Sequence, residues 1–261
     1  MSRSVFYICR SNGCKFHLPT LSTPNYQLFN MSRRVVGNKT ILIINACSII
    51  IGCYGMYSNI MKTELPAHLA KGGHWQFLTN LSLVYSLVVF VVGFFAHLLK
   101  SNYLFHLKNT IHPIGLALET IVAGVYWPLR LFFLHLLLKD PSKFKLALST
   151  DLCIHLMPVV SLLIDYLVFM PKWTIRNETA LMLVIFLTTG YWALLKKLVD
   201  IESGAQYPYA FLDVGSEEKR ALVFAVVGTV AFCQFIFMKR VYEWIVKETI
   251  NVDEQIDKKM I

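Results

Sequence analysis

Two residues of the sequence, Asp151 and His155, have the types and the spacing that proton-transfer chemistry needs. They stand four positions apart in a stretch that reads as helix, so they fall on one face. A carboxylate placed there can hold the imidazole in one tautomer and stabilise the imidazolium, as the orienting member of a catalytic triad does. The same histidine serves equally well as a packing hydrogen bond to a neighbouring helix, and spacing alone leaves both roles open. A base also needs a group to deprotonate. Thr79 offers a hydroxyl, which is a weak nucleophile until a base takes its proton. A threonine in an apolar helix commonly bonds back to its own backbone instead.

Other chemistries lack their residues. There is no GxSxG elbow, no HExxH, no phosphate-binding P-loop and no dinucleotide glycine fingerprint. The eight histidines include no HxxxH pair, which disfavours a membrane di-iron oxygenase. The six cysteines form no CxxC pair and four lie in apolar runs, so they read as free, buried thiols rather than a zinc site or a disulfide framework. The expectation is a chain with no cofactor and no metal.

The elements that must position these residues are membrane helices. Of the 261 residues 56% are hydrophobic and 16% charged, with a mean hydropathy of +0.53, outside the usual range of soluble domains. Charge-free runs from Thr40 to Met61, Trp75 to Leu99, Thr179 to Leu195 and Ala221 to Met238 approach the roughly 20 residues a helix needs to cross hydrocarbon. Two further spans carry charge: Ile111 to Leu138, with Glu119 and Arg130, and about Leu146 to Phe169, with Asp151 and Asp165. Ionisable groups inside a span are costly unless they face the bundle interior or a wet cavity, so function belongs first to these two. The fold class is therefore all-α, a six-helix transmembrane bundle over residues 40–245. Trp127-Pro128 is expected to kink the third span and Pro158 the fourth.

The larger share of Lys and Arg falls on the side of the N-terminus, which places both termini in the cytosol and Thr79 and His155 at similar depth on the luminal side. The +9 net charge then matches a basic flank facing anionic membrane lipids, with no nucleic acid partner. Residues 1–39 carry six basic and no acidic residues. Pro19 and Pro24 break any amphipathic helix there, so a disordered cytosolic tail is preferred to a presequence. Residues 246–261 form a cytosolic C-terminal tail ending Lys258-Lys259-Met260-Ile261. That ending matches the di-lysine signal read by the retrieval coat of the endoplasmic reticulum.

The stretch ELPAHLAKGGHWQFLTN carries a more specific signal. Leu65-Pro66, His68, Gly72-Gly73, Trp75, Phe77-Leu78-Thr79 and Leu83-Val84 resemble the androgen-induced transmembrane protein family, which includes the androgen-dependent TFPI-regulating protein. His155, Pro158 and Asp165 are similar to the family's histidine segment, and Gly190-Tyr191, Tyr207-Pro208 and Phe211-Leu212 to the segment between its last two spans. The likeness runs from about residue 40 to 245. The family commonly has an Asn-His pair ahead of its histidine where this chain has Asp151-Leu152, and its proline stands two places further on. The resemblance implies a six-span bundle that hydrolyses fatty acid esters of hydroxy fatty acids, with Thr79 as nucleophile and His155 as base.

Further roles follow from that mechanism. Gly72 and Gly73 are candidate oxyanion donors through unpaired N–H groups at the start of the second helix. Arg130 either receives the substrate's free carboxylate or snorkels to the interface. Trp75, Tyr207 and Tyr209 are interfacial aromatics that can also line the mouth of a substrate site. The expected partners are a lipid ester substrate and membrane lipids. The rival reading is a non-catalytic lipid-binding or regulatory bundle in which Thr79 and His155 only pack.

Overall fold

Charge-free runs of this length become helices because hydrocarbon offers no water, so every backbone N–H and C=O must be satisfied within the segment. A computed structural model describes residues 34–137, 146–201 and 204–260. Its long helices are α1 (Lys39–Lys62), α2 (Leu78–Leu98), α3 (Asn102–Phe132), α4 (Leu148–Phe169), α5 (Asn177–Leu198) and α6 (Glu217–Met260). All six are long and apolar enough to cross a membrane, and no strand occurs among the described residues. Residues 1–33 of the expected tail lie outside the described residues, and for Lys258 and Lys259 only the helix path is described.

One boundary departs from expectation, for a physical reason. Helix α3 starts at Asn102 rather than near Ile111. Lys108, which reads as a flanking cation, is fully buried: its ammonium donates to Asp165 Oδ1 at 2.7 Å and lies 2.6 Å from Oδ2. His112 Nε2 stands 3.7 Å from the same carboxylate. A paired charge can enter a bundle that an isolated one cannot. The third helix also runs on through Trp127-Pro128 to Phe132, and its interruption comes at Phe133.

In α4 the proline acts as expected. The helix divides into Leu148–His155 and Met157–Ile164, with Leu156 at φ −115° between them, and closes in a π-helical turn over Asp165–Phe169. Pro158 has no N–H to give Ile154, so the first segment ends at His155. Glycines set the spacing of the core. A Cβ on Gly55 of α1 would lie 2.8 Å from Cys153 Cβ and 2.9 Å from Ile154 Cγ2, so α1 and α4 touch backbone to backbone between Asp151 and His155. Helices α1 to α4 make the packed body. Helices α5 and α6 are the least buried spans and lean mainly on each other, with α6 also against α3. The four cysteines described are free, but Cys47, Cys53 and Cys233 face outward rather than into the core.

Candidate active site

At one end of the bundle α2 and α4 begin while α1, α3 and α5 end, and there the polar residues converge. Thr79 lies in the first turn of α2. Asn80 fixes that turn, its amide donating to His74 O at 2.7 Å while its oxygen accepts from Asn59 of α1 at 2.8 Å. On α4, Ser58 and Thr150 share a hydroxyl contact of 2.8 Å that fastens the start of the helix to α1.

Across this gap His155 Nε2 stands 3.4 Å from Thr79 Oγ1. Its Nδ1 lies 2.7 Å from Asp151 Oδ1, the i,i+4 contact expected from the spacing. An ionised carboxylate only accepts, so the ring proton sits on Nδ1 and the lone pair of Nε2 faces the threonine. The Thr–His separation is longer than a tight hydrogen bond, as is common for catalytic contacts in unliganded proteins. Helix α3 completes the arrangement. Tyr126 stacks flat on the His155 ring at 3.5 Å and 5°, Trp127 Nε1 donates to His155 O at 3.4 Å, and Arg130 Nε lies 3.6 Å from Asp151 Oδ2. Thr79, Asp151 and His155 are all buried, whereas the Arg130 side chain is 30% exposed.

The remaining residues singled out from the sequence fall elsewhere. Helix α2 begins at Leu78, so Gly72 and Gly73 belong to the preceding turn rather than to its first turn. Gly73 N–H is taken by Leu69 O at 3.2 Å, and its φ of +62° is a backbone state that favours glycine. A Cβ on Gly72 would meet Gln76 Oε1 at 2.7 Å. The pair therefore wraps the turn around buried Gln76, and the Gly73 N–H is spent within that turn. Trp75 is half exposed beside that turn. Tyr207 is buried under the Arg220 guanidinium, 4.0 Å from the ring centre, in a separate apolar cluster with Leu195, Val199 and Leu212. Neither lines the apolar space described next. Arg130, expected either to receive a substrate carboxylate or to snorkel to the interface, lies against Asp151.

That space is a partly open apolar pocket between α3 and the α5–α6 pair. Aliphatic side chains such as Leu118, Ile121, Val184, Leu187 and Val227 make most of its wall, and Thr79 and Tyr126 stand at the catalytic end with Tyr191 and Tyr209. Tyr126 escapes sequence reasoning, whereas Tyr191 stands in the Gly190-Tyr191 pair of the resemblance and Tyr209 lines the space as one of the aromatics expected at its mouth. For Tyr126 a faint signal exists, since it lies four residues before Arg130 on the same helix face. For Tyr209 the signals are its aromatic ring at the edge of a span and its place within the Tyr207-Pro208 to Phe211-Leu212 segment.

Comparison with known proteins agrees with the resemblance. Residues 38–243 match the family described as FAR-17a/AIG1-like protein. The chain is similar to UPF0641 membrane protein YHR140W of Saccharomyces cerevisiae, 30% identical over 221 residues, which is 79% of this chain and 92% of that protein. It is also similar to UPF0641 membrane protein PJ4664.05 of Schizosaccharomyces pombe, 32% identical over 183 residues, covering 70% and 81% respectively. No solved structure matches it.

Proposed function

The chain belongs to the FAR-17a/AIG1-like family of membrane proteins, and from that premise we propose that it is an intramembrane hydrolase of long-chain esters, of the kind in which a fatty acid is esterified to a hydroxy fatty acid. One observation carries the reading: the line Thr79, His155, Asp151, with contacts of 3.4 and 2.7 Å, opens through Thr79 onto an apolar pocket between α3, α5 and α6.

The chemistry follows from the contacts. His155 Nε2 takes the Thr79 proton as Oγ1 bonds to the ester carbonyl carbon, and the carbonyl π pair moves to its oxygen. When that pair returns, the ester C–O bond breaks. The leaving hydroxy acid takes the proton from Nε2, and an acyl-threonine remains. Water then attacks with His155 again as base, releasing the fatty acid and returning the proton to Thr79. Asp151 holds Nδ1–H throughout and stabilises the imidazolium. Arg130 lies against that carboxylate with its side chain part exposed, and we assign it the free carboxylate of the substrate.

Thr79→Ala and His155→Ala in the purified protein are each expected to abolish nearly as much ester hydrolysis as the double variant, because groups acting as one unit show non-additive losses. Thr79→Ser, which keeps the hydroxyl, retains part. Full activity in both alanine variants would refute the reading in favour of a packing role. For location we propose the endoplasmic reticulum membrane, with Lys258 and Lys259 bound by the retrieval coat in the cytosol. Unchanged distribution after serine replaces both would refute it.

A further inference from the structure

We propose that Tyr209 is a catalytic residue of this site, its phenol donating a hydrogen bond to the ester oxygen that becomes negative when Thr79 attacks. The inference rests on the hydrolytic reading above, and it supplies an oxyanion donor where Gly72 and Gly73 precede the first turn of α2 and the Gly73 N–H is taken by Leu69 O.

Four observations converge on this hydroxyl. First, Tyr209 lies in the connection between α5 and α6 and lines the catalytic end of the cavity beside Thr79. Second, its oxygen accepts the N–H of Leu78 at 3.1 Å, so the phenol proton is left to point elsewhere, and that accepted bond strengthens it as a donor. Third, the bond to the Leu78 N–H places this hydroxyl at the first turn of α2, one residue before Thr79. An ester whose carbonyl carbon meets Thr79 Oγ1 therefore brings its oxygen beside the phenol. Fourth, the ring is held in place, stacked on Phe211 at 5.2 Å and edge-on to Phe77 at 6.0 Å. A donor fixed before the reaction needs no reorganisation as charge develops, which is the condition for electrostatic stabilisation.

The nearest other hydroxyl is engaged. Tyr191 of α5 donates its proton to Gln76 O at 2.8 Å, so that proton is not available to the ester oxygen. Burial pushes the Tyr209 phenol above its ordinary value, with the bonds from the start of α2 opposing it. It stays protonated, as a donor must. Tyr209 keeps this proton through the cycle, while the proton that moves is the one exchanged between Thr79, His155 and the leaving group.

The test uses the purified full chain, a 4-methylumbelliferyl ester of a long-chain fatty acid, and a long-chain trifluoromethyl ketone that captures the nucleophile as a tetrahedral adduct. Tyr209→Phe is expected to lower kcat about 100- to 1000-fold, the range for loss of one oxyanion donor, with KM within about threefold. Affinity for the ketone should fall in parallel with kcat. Tyr191→Phe, which loses an anchoring bond in the same wall, should cost less than about fivefold. If Tyr209→Phe keeps full kcat, or changes KM alone, while Thr79→Ala is inactive, the assignment is overturned and the hydrolytic reading stands. An active Thr79→Ala overturns both. Should Tyr209→Phe fail to fold, 3,5-difluorotyrosine at 209 keeps shape and acceptor but ionises more readily. An alkaline fall in kcat displaced to lower pH supports the proposal, and an unmoved profile overturns it.

Discussion

Asparagine at position 151 probes the orienting carboxylate with almost no change of shape. Asp151 presents Oδ1 to His155 Nδ1 at 2.7 Å and Oδ2 to Arg130 Nε at 3.6 Å. An amide has only one oxygen to share between them. Arg130 is a permanent donor, so the oxygen turns to it and the NH2 turns to His155. Nδ1 must then accept, the ring proton moves to Nε2, and the nitrogen that should deprotonate Thr79 already carries a proton. Losing the charge-assisted bond to the imidazolium costs about 1.5–3 kcal/mol, which at 1.36 kcal/mol per decade is roughly 10- to 150-fold. Inverting the tautomer adds to this, and the corresponding change in a serine protease triad sets a ceiling of about 10⁴. Asp151→Asn should therefore lower kcat by about 10² to 10⁴ with KM little changed, and by less than His155→Ala. Steady-state hydrolysis of a long-chain ester in detergent or nanodiscs measures it. The structure adds a sharper arm: with Arg130→Met in the same chain, the amide is free to turn its oxygen to Nδ1–H, and about tenfold of kcat should return. A single variant within threefold of wild type, or a double variant slower than the single, would refute the tautomer argument.

Three other outcomes are expected. Gly55→Ala puts a methyl group 2.8 Å from Cys153 Cβ, so α4 must shift; a loss of about 1–3 kcal/mol in stability with reduced activity is expected, and wild-type melting and turnover would contradict it. Gly228→Leu extends from α6 into the cavity past Thr188, whose Oγ1 lies 3.3 Å from the added Cβ, and should lower kcat/KM on long-chain esters at least about tenfold while sparing short ones; an unchanged chain-length profile would show that the acyl chain binds elsewhere. Asn177-Glu178-Thr179 is a glycosylation sequon at the start of α5, at the end of the bundle away from the site, and should carry no glycan if that end is cytosolic. A glycosidase-sensitive mass shift mapped to Asn177 would reverse the orientation.

The sequence displays relations along one helix far better than relations between helices. Six spans are legible because length and hydropathy suffice, and Asp151 with His155 is legible because four residues return to the same face. Thr79 is 76 residues from His155, and only the motif around it singles it out. Tyr126, Tyr209 and the partnership of Arg130 with Asp151 depend on which helix faces which, and hydrophobic patterning hardly records that where lipid and protein neighbours are equally apolar. Lys108 misleads for the same reason. Its carboxylate lies 57 residues away, so a buried cation reads as a flanking one and the start of α3 is misplaced.

That separation also bears on how the chain is made. When α3 leaves the ribosome Asp165 has not yet emerged, so Lys108 meets the membrane-insertion machinery with no counter-charge. A charged side chain at the middle of an inserting helix is disfavoured by about 2.5–3.5 kcal/mol, and Lys108, nearer the start of α3, bears some fraction of that. With Glu119 and Arg130 on the same helix, α3 is a poor candidate for release into lipid alone. It should wait at the lateral gate and depart together with α4, as a hairpin whose charges are already matched. Nascent chains of graded length should then crosslink α3 to the translocon until Asp165 has emerged, and with Asp165→Leu they should remain there longer. Chains cut short between α3 and α4 would expose an uncompensated cation in the membrane, a mark by which quality control can recognise an unfinished protein.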